Sequence, residues 1–283
     1  MQYQVETELA PALHGSILLC RDEATDSLVA IKRVVATADA FAEARVHLRL
    51  AQHRHVLPMR RSFHIDGNLH MVFDYCPNGD LYTELKRHTR LPVSRALDYM
   101  AQVASAVQHM HMQGVAHRDL TLENVLLDAK WSCRVCDFGL AVMLPVACND
   151  RVGKVQYMAP EVYACESYDP CKADVWSVGI MLFMLITGVP PVNLPCVTDK
   201  RFAMLEAYGV HSLVNLWHME SLFSESVMEL IETMLEVDPT QRLSMKEAAI
   251  ALRAELKCFK HASTTTTLWD DLWHQPFVAS SLT

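Results

Sequence analysis

The sequence predicts an α+β chain in two unequal lobes, a small β-rich one over residues 1–75 and a larger, mostly helical one over residues 80–260. Three observations point there. Short apolar runs alternate with polar turns in the first 75 residues: 17–20 and 28–31 flank a turn at 22–27, and 61–64 and 69–75 flank Asp66-Gly67-Asn68, a hairpin signal. One helical pattern interrupts them at 39–52, with Phe41, Ala44 and Leu48 on one face and Asp39 able to cap its start. Beyond a breaker cluster at 76–79 (Cys-Pro-Asn-Gly) the period becomes helical. Residues 91–114 carry Leu97, Met100, Val103, Ala104, Val107 and Met110 at helical spacing, entered through Pro92 and Ser94.

Further along, the apolar run 178–189 is broken by Gly179, Thr187 and Gly188. It is too short to span a bilayer and reads as a buried helix. The last helix of the domain is expected over 248–256. Short strands at 125–127 and 133–136 flank a turn at Asp128.

With 51% hydrophobic residues among 283, the chain can bury a sizeable core, and its net charge of −8 argues against a nucleic-acid binder and for basic partners. The nine cysteines follow no framework, which suits reduced thiols. Cys133 and Cys136 form a Cys-x-x-Cys without a second pair at zinc spacing, so buried thiols are expected there and not a metal site. The first residues show no basic-then-apolar signal region. A soluble cytoplasmic protein without membrane contact is the resulting expectation.

The chemistry concentrates in two loops. Residues 117–124 read His-Arg-Asp-Leu-Thr-Leu-Glu-Asn, and Asp137-Phe138-Gly139 begins thirteen positions after Asn124. One carboxylate, one amide and a second carboxylate are what phosphoryl transfer needs, to orient a hydroxyl and to ligate magnesium. Their order and spacing resemble the catalytic and magnesium loops of eukaryotic protein kinases of the Ser/Thr type. The resemblance extends over nearly the whole chain. It includes Val29-Ala30-Ile31-Lys32, the glutamate Glu43, a hinge at 76–79, an activation segment over 137–161 closing in Ala159-Pro160-Glu161, Asp174 before Trp176, and Arg242.

The resemblance implies a bilobal kinase fold acting on protein substrates with ATP and Mg2+. Asp119 would orient the acceptor hydroxyl and take its proton, and Asn124 and Asp137 would hold magnesium. Lys32, held by Glu43, would position the α- and β-phosphates. Gly15, Ile17, Ala30, Phe73, Asp74, Cys76, Asp80 and Leu126 would line the nucleotide site. Phe73 would close its back, the backbones of Asp74 and Cys76 would meet adenine, and Asp80 would face the ribose and a basic substrate residue. Asp174 would bond the catalytic-loop backbone, and Arg242 would pair with Glu161. Leu122-Glu123-Asn124 favours serine or threonine over tyrosine as acceptor, and Glu123, like Asp80, could attract basic side chains.

Three departures stand out. The loop over the phosphates reads Ala10-x-Ala12-x-x-Gly15 where the family has three glycines, which implies weaker nucleotide binding. Thr121 replaces the usual catalytic-loop lysine, and Lys154 follows Gly153 where threonine is usual. The expected arrangement is an exchange, with the Lys154 ammonium beside Asp119 and Thr121 as its hydroxyl partner. Finally, 140–154 holds no Ser, Thr or Tyr, so Asp150 is expected to face Arg118 in place of a phosphate. A pseudokinase serving as scaffold or allosteric partner is the alternative. The tail, 261–283, contains Leu268-Trp269-Asp270-Asp271-Leu272-Trp273, either packing back on the large lobe or docking another protein.

Overall fold

The computed structural model describes residues 2–12, 15–50 and 52–263, so the Trp-containing motif of the tail lies outside the described residues. Five antiparallel strands form the first sheet: β1 (Tyr3–Ala12), β2 (Gly15–Asp22), β3 (Ser27–Val35), β4 (Met59–Ile65) and β5 (Asn68–Asp74), in the order β1-β2-β3-β5-β4. The β4–β5 turn falls at Asp66 and Gly67, both with positive φ, as the hairpin signal requires. β1 has no counterpart in the sequence reading because almost all of it is solvent-facing, leaving little alternation to detect. Gly15 sits where β2 crosses β3: a Cβ there would lie 1.9 Å from the Arg33 carbonyl oxygen. Sheet packing alone therefore demands this glycine.

Helix α1 (Ala38–Leu50) lies beside the sheet, but not on the expected face. Ala40, Glu43, Ala44, His47 and Leu50 are buried, whereas Phe41 and Leu48 are exposed. The apolar pattern misled because the inward stripe carries two polar residues, Glu43 and His47. The helix is capped by Thr37, whose Oγ1 accepts from the Ala40 N–H at 3.2 Å, and not by Asp39.

The larger lobe opens with α2 (Leu81–His88) and α3 (Val93–Met112). Every residue of the expected α3 stripe is buried. Four short strands follow: β6 (Val115–Ala116), β7 (Val125–Leu127), β8 (Cys133–Val135) and β9 (Val142–Met143), paired β6 with β9 and β7 with β8. Then come α4 (Pro160–Tyr163), α5 (Pro170–Thr187), α6 (Lys200–Tyr208), α7 (Val210–Leu216), α8 (Glu225–Met234) and α9 (Met245–Ser263).

α5 is the centre of this lobe. Asp169 caps its start by accepting from the Cys171 N–H at 2.9 Å, and Gly188 ends it at φ 86°. Trp176, Phe183 and most of its other side chains are buried, with α3, α8 and α9 packed around it. It is apolar on all sides because it is a core helix. By length and composition it could cross a membrane, but its interior position accounts for that composition.

One buried ion pair ties the end of the activation segment to the helical core. Arg242, fully buried, reaches Glu161 with Nη1 at 2.6 Å and Nη2 at 3.0 Å. Its remaining donors meet the carbonyls of Glu236 at 2.9 Å, Lys172 at 2.9 Å and Val237 at 3.3 Å. A desolvated guanidinium is tolerated only when paired and fully hydrogen-bonded, as it is here.

Candidate active site

The site lies where β3, α1, the loop after β6 and the loop after β8 converge. Lys32 projects from β3, which pairs Ile17 on one side with Met71 on the other. Its ammonium donates to Glu43 Oε1 at 2.7 Å and to Asp137 Oδ1 at 3.0 Å. Burial opposes its charge, but Asp137 and Glu43 outweigh burial and hold the lysine above its ordinary pKa. Asp137 responds in the opposite sense. Burial would raise it, yet Lys32 keeps it below the usual carboxylate range and ionised.

Across the cleft stands the catalytic loop. Asn124 Nδ2 donates to Asp119 Oδ2 at 3.0 Å and to the Asp119 carbonyl at 2.8 Å, so one amide fixes both ends of the residue. Burial raises the Asp119 pKa, while His117, the Asn124 amide and the Lys154 N–H partly offset the rise. That places its basicity above that of a free aspartate, which suits a proton acceptor.

Asp174 of α5 holds the loop from beneath. Its Oδ2 accepts from the His117 N–H at 2.9 Å and from His111 Nε2 at 2.8 Å, and its Oδ1 accepts from the Arg118 N–H at 2.9 Å. These bonds support a backbone that the chain would not adopt unaided: Arg118 has φ 66° and Asp137 φ 64°. Non-glycine residues in this region cost about 1–3 kcal/mol each and persist where their surroundings over-determine them.

Of the residues expected to line a nucleotide site, Phe73, Cys76, Ala30 and Leu126 share one apolar cluster. Phe73 and Cys76 are buried members of it, and Ala30, Leu126 and Cys136 pack against it. Ile17 is half-buried opposite Lys32. Asp74 ends β5 opposite Val29, its carboxylate taken by Arg60 Nε at 2.6 Å. Asp80 is the N-cap of α2, accepting from the Thr83 N–H at 2.7 Å, so one of its oxygens serves the helix. The sequence reading assigned no element to 81–90 and so missed this use.

Four rings run through the middle of the site. The imidazole of His47 lies 4.7 Å from the Phe73 ring and 4.5 Å from the Phe138 ring, and Phe138 lies 5.2 Å from His117. His47 was missed by sequence reasoning. It stands four positions after Glu43 on the same helix, a spacing that should have placed both on one face. Burial first, and then Lys32, lowers its pKa to about 3, so it is neutral.

The expected exchange between Thr121 and Lys154 is not the arrangement found. Lys154 does reach Asp119, but through its main chain, whose N–H donates to Oδ1 at 3.1 Å. Its ammonium goes to Glu123 Oε1. The Thr121 hydroxyl accepts from the Asn124 N–H at 3.2 Å, capping the turn that carries Asn124. The cause is steric as much as electrostatic. Gly153 has φ 89°, and a Cβ on it would stand 2.6 Å from the Arg118 carbonyl oxygen, so the segment packs directly on the catalytic loop. Glu123 then lies within reach of the side chain at 154.

Asp150 stands where it was expected. Its Oδ1 accepts from Arg118 Nη1 at 2.7 Å, and the hydroxyl of Tyr168 donates to the Asp150 carbonyl at 3.1 Å. Among the described residues no group of three or more His, Cys, Asp or Glu is placed to hold a metal ion; of the Cys-x-x-Cys pair, the Cys133 thiol is buried and the Cys136 thiol half-buried.

Comparison with known proteins identifies the family. The model of the protein kinase domain matches residues 3–251. The chain belongs to the protein kinase family. Its fold, a five-stranded small lobe beside a helical large lobe, is that of a protein kinase domain. The kinase domain is 30% identical over 261 residues to CBL-interacting serine/threonine-protein kinase 7 of Arabidopsis thaliana, covering 87% of this chain and 58% of that protein. It is 38% identical over 205 residues to CBL-interacting protein kinase 30 of Oryza sativa subsp. japonica, covering 71% and 41%. With Aurora kinase B of Xenopus tropicalis it shares 27% over 256 residues, covering 86% and 68%. The chain thus spans about half the length of the first plant relatives.

Proposed function

We propose that the chain is an ATP-dependent protein kinase that phosphorylates serine or threonine. The observation that carries this reading is Lys32 bridging Glu43 and Asp137 while Asp119, fixed by Asn124, faces the same cleft. Its relatives' names as serine/threonine kinases favour the same acceptor class.

The residues fit magnesium and ATP. Asp137 presents a half-exposed carboxylate held in a left-handed backbone, and Asn124 an amide oxygen whose nitrogen is already used. One carboxylate and one amide suit magnesium, which keeps waters and takes its other ligands from phosphates. Bound magnesium ATP supplies the phosphoryl group and neutralises developing charge. The protein's part is positioning. Lys32 offers a fixed cation for the phosphates, Glu43 keeps it aimed, and Asp119 orients the acceptor hydroxyl and takes its proton.

The test is phosphotransfer from magnesium ATP to a serine- or threonine-containing protein acceptor, with Asp119→Asn beside the wild type. Loss of at least about a hundredfold in the variant is expected, since general-base catalysis contributes on that order. Equal background from both proteins would replace this reading with that of a pseudokinase.

A further inference from the structure

A carboxylate four positions beyond Asp119, that of Glu123, is already occupied by the chain's own lysine. The Glu123 Oε1 binds the Lys154 ammonium, and its Oε2 accepts from the Tyr157 hydroxyl at 3.4 Å. The ammonium also lies 5.5 Å from the ring centroid of Tyr82 and 5.6 Å from that of Tyr157, within range of both π-faces. Three separate parts of the large lobe therefore close around one cation: α2, the catalytic loop and the activation segment.

Residue 154 is also fixed in place. Its N–H is bonded to Asp119, and Gly153 packs on Arg118 without room for a Cβ. The Lys154 side chain is 47% exposed and that of Glu123 31%, so the pair stays solvent-accessible beside Asp119, to which the Lys154 N–H is bonded.

Resting on the phosphotransfer reading, we propose that Lys154 is a specificity-determining residue: it fills the acidic subsite of Glu123 and cancels recognition of basic residues there. The acceptors are then polypeptides with neutral or acidic residues beside the target, and not arginine-directed sequences. An arriving arginine gains a carboxylate only by displacing a lysine held by that same carboxylate and two aromatic rings, so the exchange yields little. Removing the lysine side chain leaves the residue's N–H on Asp119 intact and leaves Glu123 open.

The test is a double-mutant cycle read as a ratio within each protein. Peptides carrying a single serine are scanned with arginine against alanine at each neighbouring position. The kcat/KM ratio is compared between wild type and Glu123→Gln, and between Lys154→Ala and Lys154→Ala/Glu123→Gln. The first comparison is expected to show no difference. The second is expected to show an arginine preference at one position of about tenfold, the worth of one charge-assisted hydrogen bond. A wild-type preference that Glu123→Gln abolishes, or no Glu123-dependent gain in Lys154→Ala, overturns the proposal.

The same four proteins are measured without nucleotide, by fluorescence anisotropy of labelled peptides whose serine is alanine. If none of them phosphorylates any peptide, the phosphotransfer reading fails, while the binding ratios still decide for or against Lys154.

Discussion

Arg118 Nη1 and Asp150 Oδ1 stand 2.7 Å apart, joining the catalytic loop to a segment that offers no hydroxyl between residues 140 and 154. Tyr168 completes the contact by donating from its hydroxyl to the Asp150 carbonyl. A permanent carboxylate therefore meets Arg118 without any modification of the segment. Protein made in bacteria and treated with phosphatase is expected to keep its phosphotransfer rate. Asp150→Ala is expected to lower kcat by about tenfold, the worth of one charge-assisted hydrogen bond. A strong rate increase on treatment with an activating kinase would contradict this.

Burial raises the Asp119 pKa, and the sign has two consequences. As a base it works ionised, so kcat/KM should fall with acid at a pH above that of an ordinary aspartate. In linkage terms, a carboxylate whose folded pKa is raised stabilises the fold when protonated, and that contribution is lost as pH rises through the folded value. At neutral pH the ionised form is thus a burden on stability. Asp119→Asn should abolish activity and raise the melting temperature at neutral pH, with the gain shrinking towards acid. A variant less stable than wild type at neutral pH would refute the second half.

Arg242 and Glu161 predict a stability effect without chemistry. Glu161→Ala leaves a fully buried guanidinium with two unmatched donors and should cost about 3–5 kcal/mol in urea unfolding. Arg242→Lys keeps the charge but loses the planar fork and the carbonyl contacts, so it should recover little of that loss.

His47 gives the chain an acid limit. Its ordinary value is 6.5 and burial brings it to about 3, so between these pH values the unfolded state binds a proton that the folded state refuses. Stability from this source is complete above the unfolded value and drains away as pH falls towards the folded one. His47→Leu keeps the apolar bulk between Phe73 and Phe138 and should remove about 5 kcal/mol of acid destabilisation across that range. Unfolding curves of both proteins at a series of pH values check it. Parallel pH dependence would rule the histidine out.

Much of this site was legible because its chemistry is carried by contiguous loops. His117 to Asn124 and Asp137 to Gly139 announce themselves by residue type and spacing, and Lys32 and Glu43 follow from the elements before them. What escaped the sequence depends on which way a side chain turns. Lys154 was expected beside Asp119 and does reach it, but through its main-chain N–H, while its ammonium turns to Glu123 and the Thr121 hydroxyl caps Asn124 instead of meeting Lys154. The face of α1 was misread because an inward stripe holding Glu43 and His47 looks polar. α2, and the helices between α5 and α9, hold no sequence motif and passed without notice.

The placement of Glu43 and His47 one turn apart on α1 has a mechanical meaning. One residue holds the lysine, and the other fills the gap between two aromatic rings. A rotation or outward shift of α1 would carry both side chains with it, so the ion pair and the ring column are coupled through one helix. The helix is built as a latch with two teeth on a single bar.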